Sequence, residues 1–131
     1  MEIAQREGLI PRIADAPAFA RQHRVLLLQH QDSGINIDIS LGLLPFEVEA
    51  VDHNRALLIG SLSIRLPTPE DLIIFKAVAH RPKDLLDIQA LVECYPNLDK
   101  KYVAERVKEF AQLLEMPEMW DDLAAMLKQI K

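Results

Sequence analysis

The chain lacks several features that would assign it to a specialised class of protein. Its 131 residues include a single cysteine, Cys94, so no disulfide can form within the chain, and a reduced, cytoplasmic setting is predicted. The N-terminal residues do not follow the basic-then-apolar pattern of a signal peptide. No apolar run approaches the roughly 18 residues that a membrane span needs, so no membrane partner is expected.

The chain also has fewer basic than acidic residues. The formal net charge of −5 argues against a protein dedicated to duplex DNA, because such proteins neutralise phosphates with lysine and arginine. A small nucleotide, or RNA held by a local basic patch, is compatible with this charge. The histidines have no metal-ligand spacing, and Cys94 has no activating partner in the sequence and is expected to be a small buried residue.

Alternation of apolar and polar residues predicts about four strands in the first half of the chain. The clearest case is residues 35–41, where isoleucines and Leu41 alternate with Asn36, Asp38 and Ser40, as in a half-buried strand. This strand and Arg24–His30 are predicted to form a hairpin. The other predicted elements are strands Ala56–Ile59 and Leu62–Leu66, turning at Gly60-Ser61, and short helices at 2–7, Pro17–Gln22 and Pro45–Asp52.

From Thr68 onward the sequence predicts four helices. Thr68 is a good N-cap, Pro69 suits the first helical position, and Pro82 begins the second helix. The second helix is expected over about Lys83–Cys94, the third after Asp99, and the fourth after Pro117. The residues predicted to face inward on the last two helices are Val103, Val107, Phe110, Leu114, Trp120, Leu123, Leu127 and Ile130.

These elements predict an α+β fold in one domain spanning residues 1–131. Residues 1–66 would form a small mixed or antiparallel sheet with short helices. Residues 67–131 would form a C-terminal four-helix region.

Charged residues cluster where the first two of these four helices meet. The segment from Leu66 to Leu91, LPTPEDLIIFKAVAHRPKDLLDIQAL, contains a capped helix start, one lysine in an apolar helix, a proline break and then Arg81, Lys83, Asp84 and Asp87. This pattern resembles the AbiEii/AbiGii-type toxin family of small bacterial nucleotidyltransferases, which belong to the polymerase-β-like superfamily. The resemblance covers roughly residues 24–115 and implies a nucleotidyltransferase-like fold.

Asp38 is the first candidate site residue. From the residues alone, a carboxylate in mid-strand is either rigidly placed as a metal ligand or general base, or an exposed acid on the open face of a sheet. The family uses two acids in an Asp-x-Asp pair and a third on a neighbouring strand. GINIDISLG looks like that third strand, and the resemblance implies that Asp38 binds Mg²⁺ and serves catalysis.

Lys76 is the second candidate. The resemblance implies that it matches a lysine of the family signature, and it could contact the triphosphate of an NTP with Arg81 and Lys83, while His80 and Lys83 would extend a basic stripe. The alternative is a lysine at the helix edge that extends its ammonium into water.

Four acids complete the signature. Asp84 and Asp87 lie on one helix face and match the family pattern, and pairing of Arg81 with Asp87 is expected to lock the two helices together. Structural ion pairing alone is the alternative. Glu70 and Asp71 are predicted to be helix-capping residues.

The most diagnostic family motif is absent. No Asp-x-Asp pair occurs in the chain, the acids of Glu47-x-Glu49 point apart in a predicted helix, and no paired aspartates follow Gly60-Ser61. The chain is therefore predicted to be N-terminally truncated relative to the family, with two of three catalytic carboxylates missing. Whether it is an enzyme stays open.

Three functional hypotheses follow, the third being an α+β interaction domain unrelated to this family. In the first, the chain belongs to a Mg²⁺-dependent nucleotidyltransferase that moves a nucleoside monophosphate from an NTP to a hydroxyl of RNA or protein, and it is incomplete or inactive by itself. In the second, it is a non-catalytic binding or regulatory module of a toxin–antitoxin system. A missing strand would expose a sheet edge, so this module would act through a homodimer or a toxin or antitoxin partner.

Overall fold

The computed structural model describes residues 2–42 and 44–128 of the chain. Over these residues the fold is α+β, with seven helices and two antiparallel sheets of three and two strands. The predicted fold class is confirmed, although the strands form two sheets and not one. The chain divides into two compact units, residues 1–49 and 50–131. The single domain expected from chain length stays a prediction.

The first unit is built on a three-stranded sheet. Its strands are β1 (Leu9–Pro11), β2 (Val25–His30) and β3 (Asn36–Ser40), in the order β1-β2-β3. The predicted hairpin is confirmed, with Leu28 opposite Ile37. The sequence did not predict β1, because three residues are too few to show an alternating pattern. The helices of this unit are α1 (Glu2–Arg6), α2 (Ala16–His23) and the first part of α3 (Pro45–Asp52).

Local chemistry fixes where α2 begins and ends. The Asp15 carboxylate accepts from the Ala18 backbone N–H at 3.1 Å, which caps the helix start. Arg24, predicted to begin the next strand, has φ 57° and ends α2 in the left-handed conformation. Its guanidinium donates to the carbonyls of Leu41 at 3.1 Å and Gly42 at 3.0 Å. Arg24 therefore ties the start of β2 to the residues that follow β3.

The second unit consists of a hairpin followed by four helices. Strands β4 (Arg55–Ile59) and β5 (Leu62–Leu66) join through the turn Gly60-Ser61, where Gly60 has φ 61°. The helices are α4 (Pro69–Ala79), α5 (Pro82–Cys94), α6 (Lys100–Leu113) and α7 (Glu118–Lys128). The predicted C-terminal four-helix region is confirmed.

The four helices enclose one apolar core. Its buried members recur at helical spacing on each helix: Ile73, Ile74 and Ala77 on α4, Ile88 and Val92 on α5, Val103, Val107 and Ala111 on α6, and Met119 and Leu123 on α7. These positions follow the three- and four-residue steps that place side chains on one helix face. Burial of this face stabilises the helices far more than their intrinsic propensities do.

The predicted inward residues of the last two helices are partly wrong. Val103, Val107 and Leu123 are buried, and Phe110 and Leu127 are half-buried. Leu114 is 46% exposed because α6 ends at Leu113, so Leu114 no longer follows the apolar face. Met119 takes the core position predicted for Trp120, which is half-buried with the Lys108 ammonium 4.3 Å from its ring centroid. Ile130 lies outside the described residues.

Cys94 is exposed, so the prediction of a buried thiol is wrong; it is the last residue of α5, where the helix leaves the core. Within the described ranges, no helix combines the length and apolar character needed to cross a lipid bilayer.

The core assignment predicts a large contrast between two leucines. Leu123→Ala removes a side chain that is 1% exposed and should lower the free energy of unfolding by about 2–5 kcal/mol, because it leaves a cavity. Leu113→Ala makes the same substitution at a side chain that is 74% exposed, and it should change the free energy of unfolding by less than about 0.5 kcal/mol. Urea denaturation of both variants measures this contrast. Equal losses would contradict the packing described for α6 and α7.

Candidate functional site

Asp38 lies at the centre of β3. Leu27 of β2 is its partner in the sheet register, and strand alternation places Asn36 and Ser40 on the same face as Asp38. The Asp38 side chain is 61% exposed, and it forms an ion pair with Arg12, which directly follows β1. Sequence patterns could not find this partner, because the two residues are 26 positions apart and meet only through sheet pairing.

Asp38 could supply one ligand to a metal ion, but the described residues around it do not supply the other ligands. Among residues 2–42 and 44–128, no group of three or more His, Cys, Asp or Glu residues is placed to hold a metal ion. The neighbouring Asn36 Oδ1 already accepts from Gln29 Nε2 at 3.1 Å. Mg²⁺ in proteins is usually bound through one or two carboxylates together with phosphates and water. Asp38 therefore fits as a single ligand only.

Lys76 connects α4 to α5. Its ammonium lies 2.6 Å from Asp87 Oδ2 and 3.8 Å from Asp84 Oδ1. The Lys76 side chain is 22% exposed and the Asp84 side chain 1%, so this is a partly buried ion cluster. The cluster explains why two acids accompany the lysine in the sequence.

The basic stripe predicted along this helix is wrong. Helix α4 ends at Ala79, and His80 has φ 47° and forms the C-cap. The ring Nε2 of His80 lies 3.0 Å from Asp122 Oδ2 on α7. His80 therefore does not extend the helical face on which Lys76 lies. Lys83 is exposed on the next helix. Lys76, His80 and Lys83 therefore do not form one helical face.

The ion pairs at the α4–α5 junction also differ from the expectation. Arg81 pairs with Asp84, with Nε 2.5 Å from Oδ2, and its backbone N–H donates to the same carboxylate at 3.3 Å. Asp87 pairs with Lys76 and not with Arg81, because Asp84 lies one helical turn closer to the N-cap position of Arg81. Hydrogen bonds from Arg81 lower the pKa of the Asp84 carboxyl below its ordinary value, although burial opposes this shift.

A second polar network surrounds Asp71, whose side chain is fully buried. One carboxylate oxygen accepts from the Tyr102 hydroxyl at 2.9 Å. The other accepts from the Thr68 hydroxyl at 2.9 Å and lies 3.3 Å from His53 Nδ1. These contacts supply the hydrogen bonds that a buried carboxylate requires. Sequence reasoning placed Asp71 at the helix start, but the partners His53 and Tyr102 are distant in the chain and were missed.

Of the three residues predicted to cap α4, Thr68 and Asp71 hydrogen-bond to each other, whereas Glu70 bonds to the start of another helix. Thr68 is confirmed as the N-cap of α4, since its hydroxyl oxygen accepts from the Asp71 backbone N–H at 3.1 Å. The Thr68 hydroxyl in turn donates to the Asp71 carboxylate at 2.9 Å. Glu70 acts on another helix: its carboxylate accepts from the backbone N–H of Asp99, the N-cap residue of α6, at 3.1 Å. Both acids therefore tie α4 to α6.

A cavity of about 400 Å³ opens beside Lys76 and Asp87. Apart from this ion pair its walls are mainly apolar, and they are formed by Leu72, Ala90, Leu91, Cys94 and Tyr95. An apolar pocket with a few charged groups at its edge is the usual form of a small-molecule site. The sequence identified Lys76 but not Leu91 or Tyr95, because their shared wall depends on how α4 packs against α5.

Comparison with known proteins adds no assignment. No family model matches this chain, and no curated protein matches it. The resemblance to nucleotidyltransferases therefore rests on the residues quoted above.

The Asp71 network predicts a pH-dependent effect of Tyr102→Phe. Burial and the hydrogen bond to Asp71 raise the pKa of the Tyr102 phenol. Its contribution to stability is therefore complete below the tyrosine pKa of the unfolded chain, about 10, and is lost as pH rises through the higher folded value. At pH about 7 the variant should lose about 1–3 kcal/mol of unfolding free energy, and the difference from the wild type should shrink above pH about 10.

Denaturant unfolding at several pH values measures this difference. Tyr95→Phe is the matched control, because Tyr95 is 45% exposed and lies outside the Asp71 network. Equal effects of the two substitutions, or a Tyr102→Phe loss that does not vary with pH, would contradict the network.

Proposed function

We propose that this chain takes part in metal-dependent nucleotidyl transfer, in which a nucleoside monophosphate moves from an NTP to a hydroxyl of RNA or protein. The observation that carries the proposal is the position of Lys76 at the edge of the 400 Å³ cavity, within the segment that resembles the family signature.

Lys76 supplies the charge for phosphate binding. A lysine ammonium binds phosphate as a compact point charge, and partial burial strengthens that attraction. Asp87 is 53% exposed, so it can turn to water when a phosphate replaces it, whereas the buried Asp84 stays 3.8 Å from the ammonium and keeps it in place. The apolar wall beside Lys76 would accept the nucleobase, with Tyr95 as an aromatic surface.

Asp38 supplies one carboxylate for Mg²⁺. Its position in the middle of a strand holds it rigidly, and because it is exposed, a metal with its water would replace the Arg12 guanidinium that now pairs with it. When bound, the metal neutralises charge on the transferred phosphate. The sequence has no Asp-x-Asp pair, so the remaining carboxylates would come from another polypeptide segment, and this chain alone would bind nucleotide without transferring it.

The alternative proposal is a non-catalytic module that acts through dimerisation or a protein partner, in a toxin–antitoxin system. The cations Arg12, Lys76 and Arg81 each already face a carboxylate, which favours structural roles for them. Several large apolar side chains of the second unit are also exposed, including Leu58 and Leu86. Nucleotide binding distinguishes the two proposals.

Asp38→Asn should weaken the binding of Mg²⁺ to this chain. Isothermal titration calorimetry with MgCl₂ should give the variant a dissociation constant about tenfold or more above that of the wild type, equal to ~1.4 kcal/mol. Asp32→Asn is the matched control, because Asp32 is an exposed acid in the turn of the same hairpin. Wild-type protein that binds none of the four NTPs at about 1 mM would contradict the proposal and favour the non-catalytic module.

Asp87→Asn should tighten NTP binding. Removing the Asp87 charge frees Lys76 from its closest partner, so we expect about 3–10-fold tighter binding of the triphosphate, and Lys76→Met should abolish it. Glu93→Gln removes one negative charge from the same helix, away from Lys76, and controls for a general electrostatic effect. If Lys76 is purely structural, Asp87→Asn will lower the melting temperature and leave nucleotide affinity unchanged.

A further inference from the structure

The β4–β5 hairpin has two open edges. In the described part of the chain these strands form a sheet of their own, so each has one side without a strand neighbour. The hairpin exposes Leu58 (72%), Ile59 (57%), Leu62 (57%) and Leu66 (42%). A two-stranded hairpin alone is marginally stable in water. Strand β5 contains no proline and a single charged residue, Arg65, among the features that commonly protect an open edge from pairing.

The register determines which backbone groups of β5 point outward. Ile59 and Leu62 flank the two-residue turn and form a hydrogen-bonded pair, and such pairs alternate with non-hydrogen-bonded pairs along an antiparallel ladder. Leu62, Ile64 and Leu66 therefore bond to β4. The backbone N–H and C=O groups of Ser63 and Arg65 point away from β4 and are available to another strand.

We propose that β5 pairs antiparallel with β5 of a second copy of this chain, around a two-fold axis at Ile64. In this register Ser63 of each copy lies opposite Arg65 of the other, and both residues have outward-facing backbone groups, as a hydrogen-bonded pair requires. Ile64 lies opposite its own counterpart, and Leu62 lies opposite Leu66 of the second copy. The two hairpins then form one continuous sheet.

The side chains of β5 are complementary to themselves in this register. Leu62, Ile64 and Leu66 alternate on one face, so the pairing joins two apolar surfaces. On the other face each arginine lies opposite a serine, so the two arginines are not in direct opposition. The apolar surface continues onto the helices, because Leu57 and Leu66 line a cavity of about 350 Å³ together with Leu72, Leu91 and Tyr95.

The other open strands are less suited to self-pairing. Full overlap of β4 with a second β4 would place Arg55 opposite Ile59, which opposes a charge to an apolar side chain. Full overlap of β3, the edge strand of the first sheet, would place Asp38 opposite Asp38 of the second copy. Like charges directly opposite each other destabilise a strand pair. Of these edges, β5 is the one that its own sequence favours.

Proline substitution at two opposite positions of the hairpin tests the pairing. Arg65→Pro removes an outward backbone N–H from β5, and Ala56→Pro does the same at the facing position of β4. Analytical ultracentrifugation of the full chain should show a dimer for the wild type and Ala56→Pro. For Arg65→Pro the dissociation constant should rise more than tenfold. Arg65→Ala, which keeps the N–H, should remain a dimer, and circular dichroism should confirm that all variants are folded.

Charge changes at Ser63 test the register. Ser63→Glu would place an acid opposite Arg65 of the second copy and should tighten the dimer, whereas Ser63→Arg would oppose two cations and should weaken it. The effect of each should diminish at high salt. Both substitutions lie on the exposed polar face of β5, so the folded hairpin should accept them.

A disulfide at the two-fold axis provides the most direct test. In a Cys94→Ser background, Ile64→Cys should form a dimer crosslinked through residue 64 on mild oxidation, because facing side chains in a non-hydrogen-bonded pair lie close enough for a disulfide. Leu57→Cys, at the neighbouring position on β4, should not crosslink. A monomer up to about 1 mM, or a dimer that Arg65→Pro leaves intact, would overturn the proposal. Neither result depends on nucleotide binding.

Discussion

The buried carboxylate of Asp71 is the interaction on which the helical unit most depends. Burying a carboxyl group away from water is costly unless hydrogen bonds replace its hydration. The Thr68 and Tyr102 hydroxyls and the His53 ring provide them, and each comes from a different part of the unit. The arrangement fixes the start of α4, and with it the direction in which the chain leaves β5. It also fixes α6, because Tyr102 lies in its first turn.

The junction between α4 and α5 extends this constraint to the candidate site. Asp84 is as buried as Asp71, and its carboxylate forms ion pairs with Arg81 and Lys76. Lys76 is thus held at the cavity edge by one buried and one exposed acid. This asymmetry gives the lysine both a fixed position and a replaceable partner. Removing one partner of a buried ion pair is strongly destabilising, because it leaves an uncompensated charge.

The β4–β5 hairpin differs from the four helices in how much of its apolar surface is exposed to solvent. The helical core is closed, whereas the β4–β5 hairpin exposes large apolar side chains along both strands. Exposed apolar residues on an open edge favour association. Nucleotide binding at Lys76 and backbone pairing through β5 depend on different groups, although Leu72, Leu91 and Tyr95 border both the cavity beside Lys76 and the apolar surface that continues from the hairpin.

The sequence by itself determined the local elements, because periodicity and capping act over a few residues. It predicted the β2–β3 hairpin, the N-cap at Thr68, the break at Pro82 and the four C-terminal helices. It also singled out Lys76 and, separately, the charge cluster of Arg81, Lys83, Asp84 and Asp87. Only the tertiary structure decided their partners: Arg12 for Asp38, Asp87 for Lys76, and Tyr102 with His53 for Asp71. The reason is physical, since ion pairs and hydrogen bonds between distant residues depend on how elements pack, and no local pattern encodes that packing.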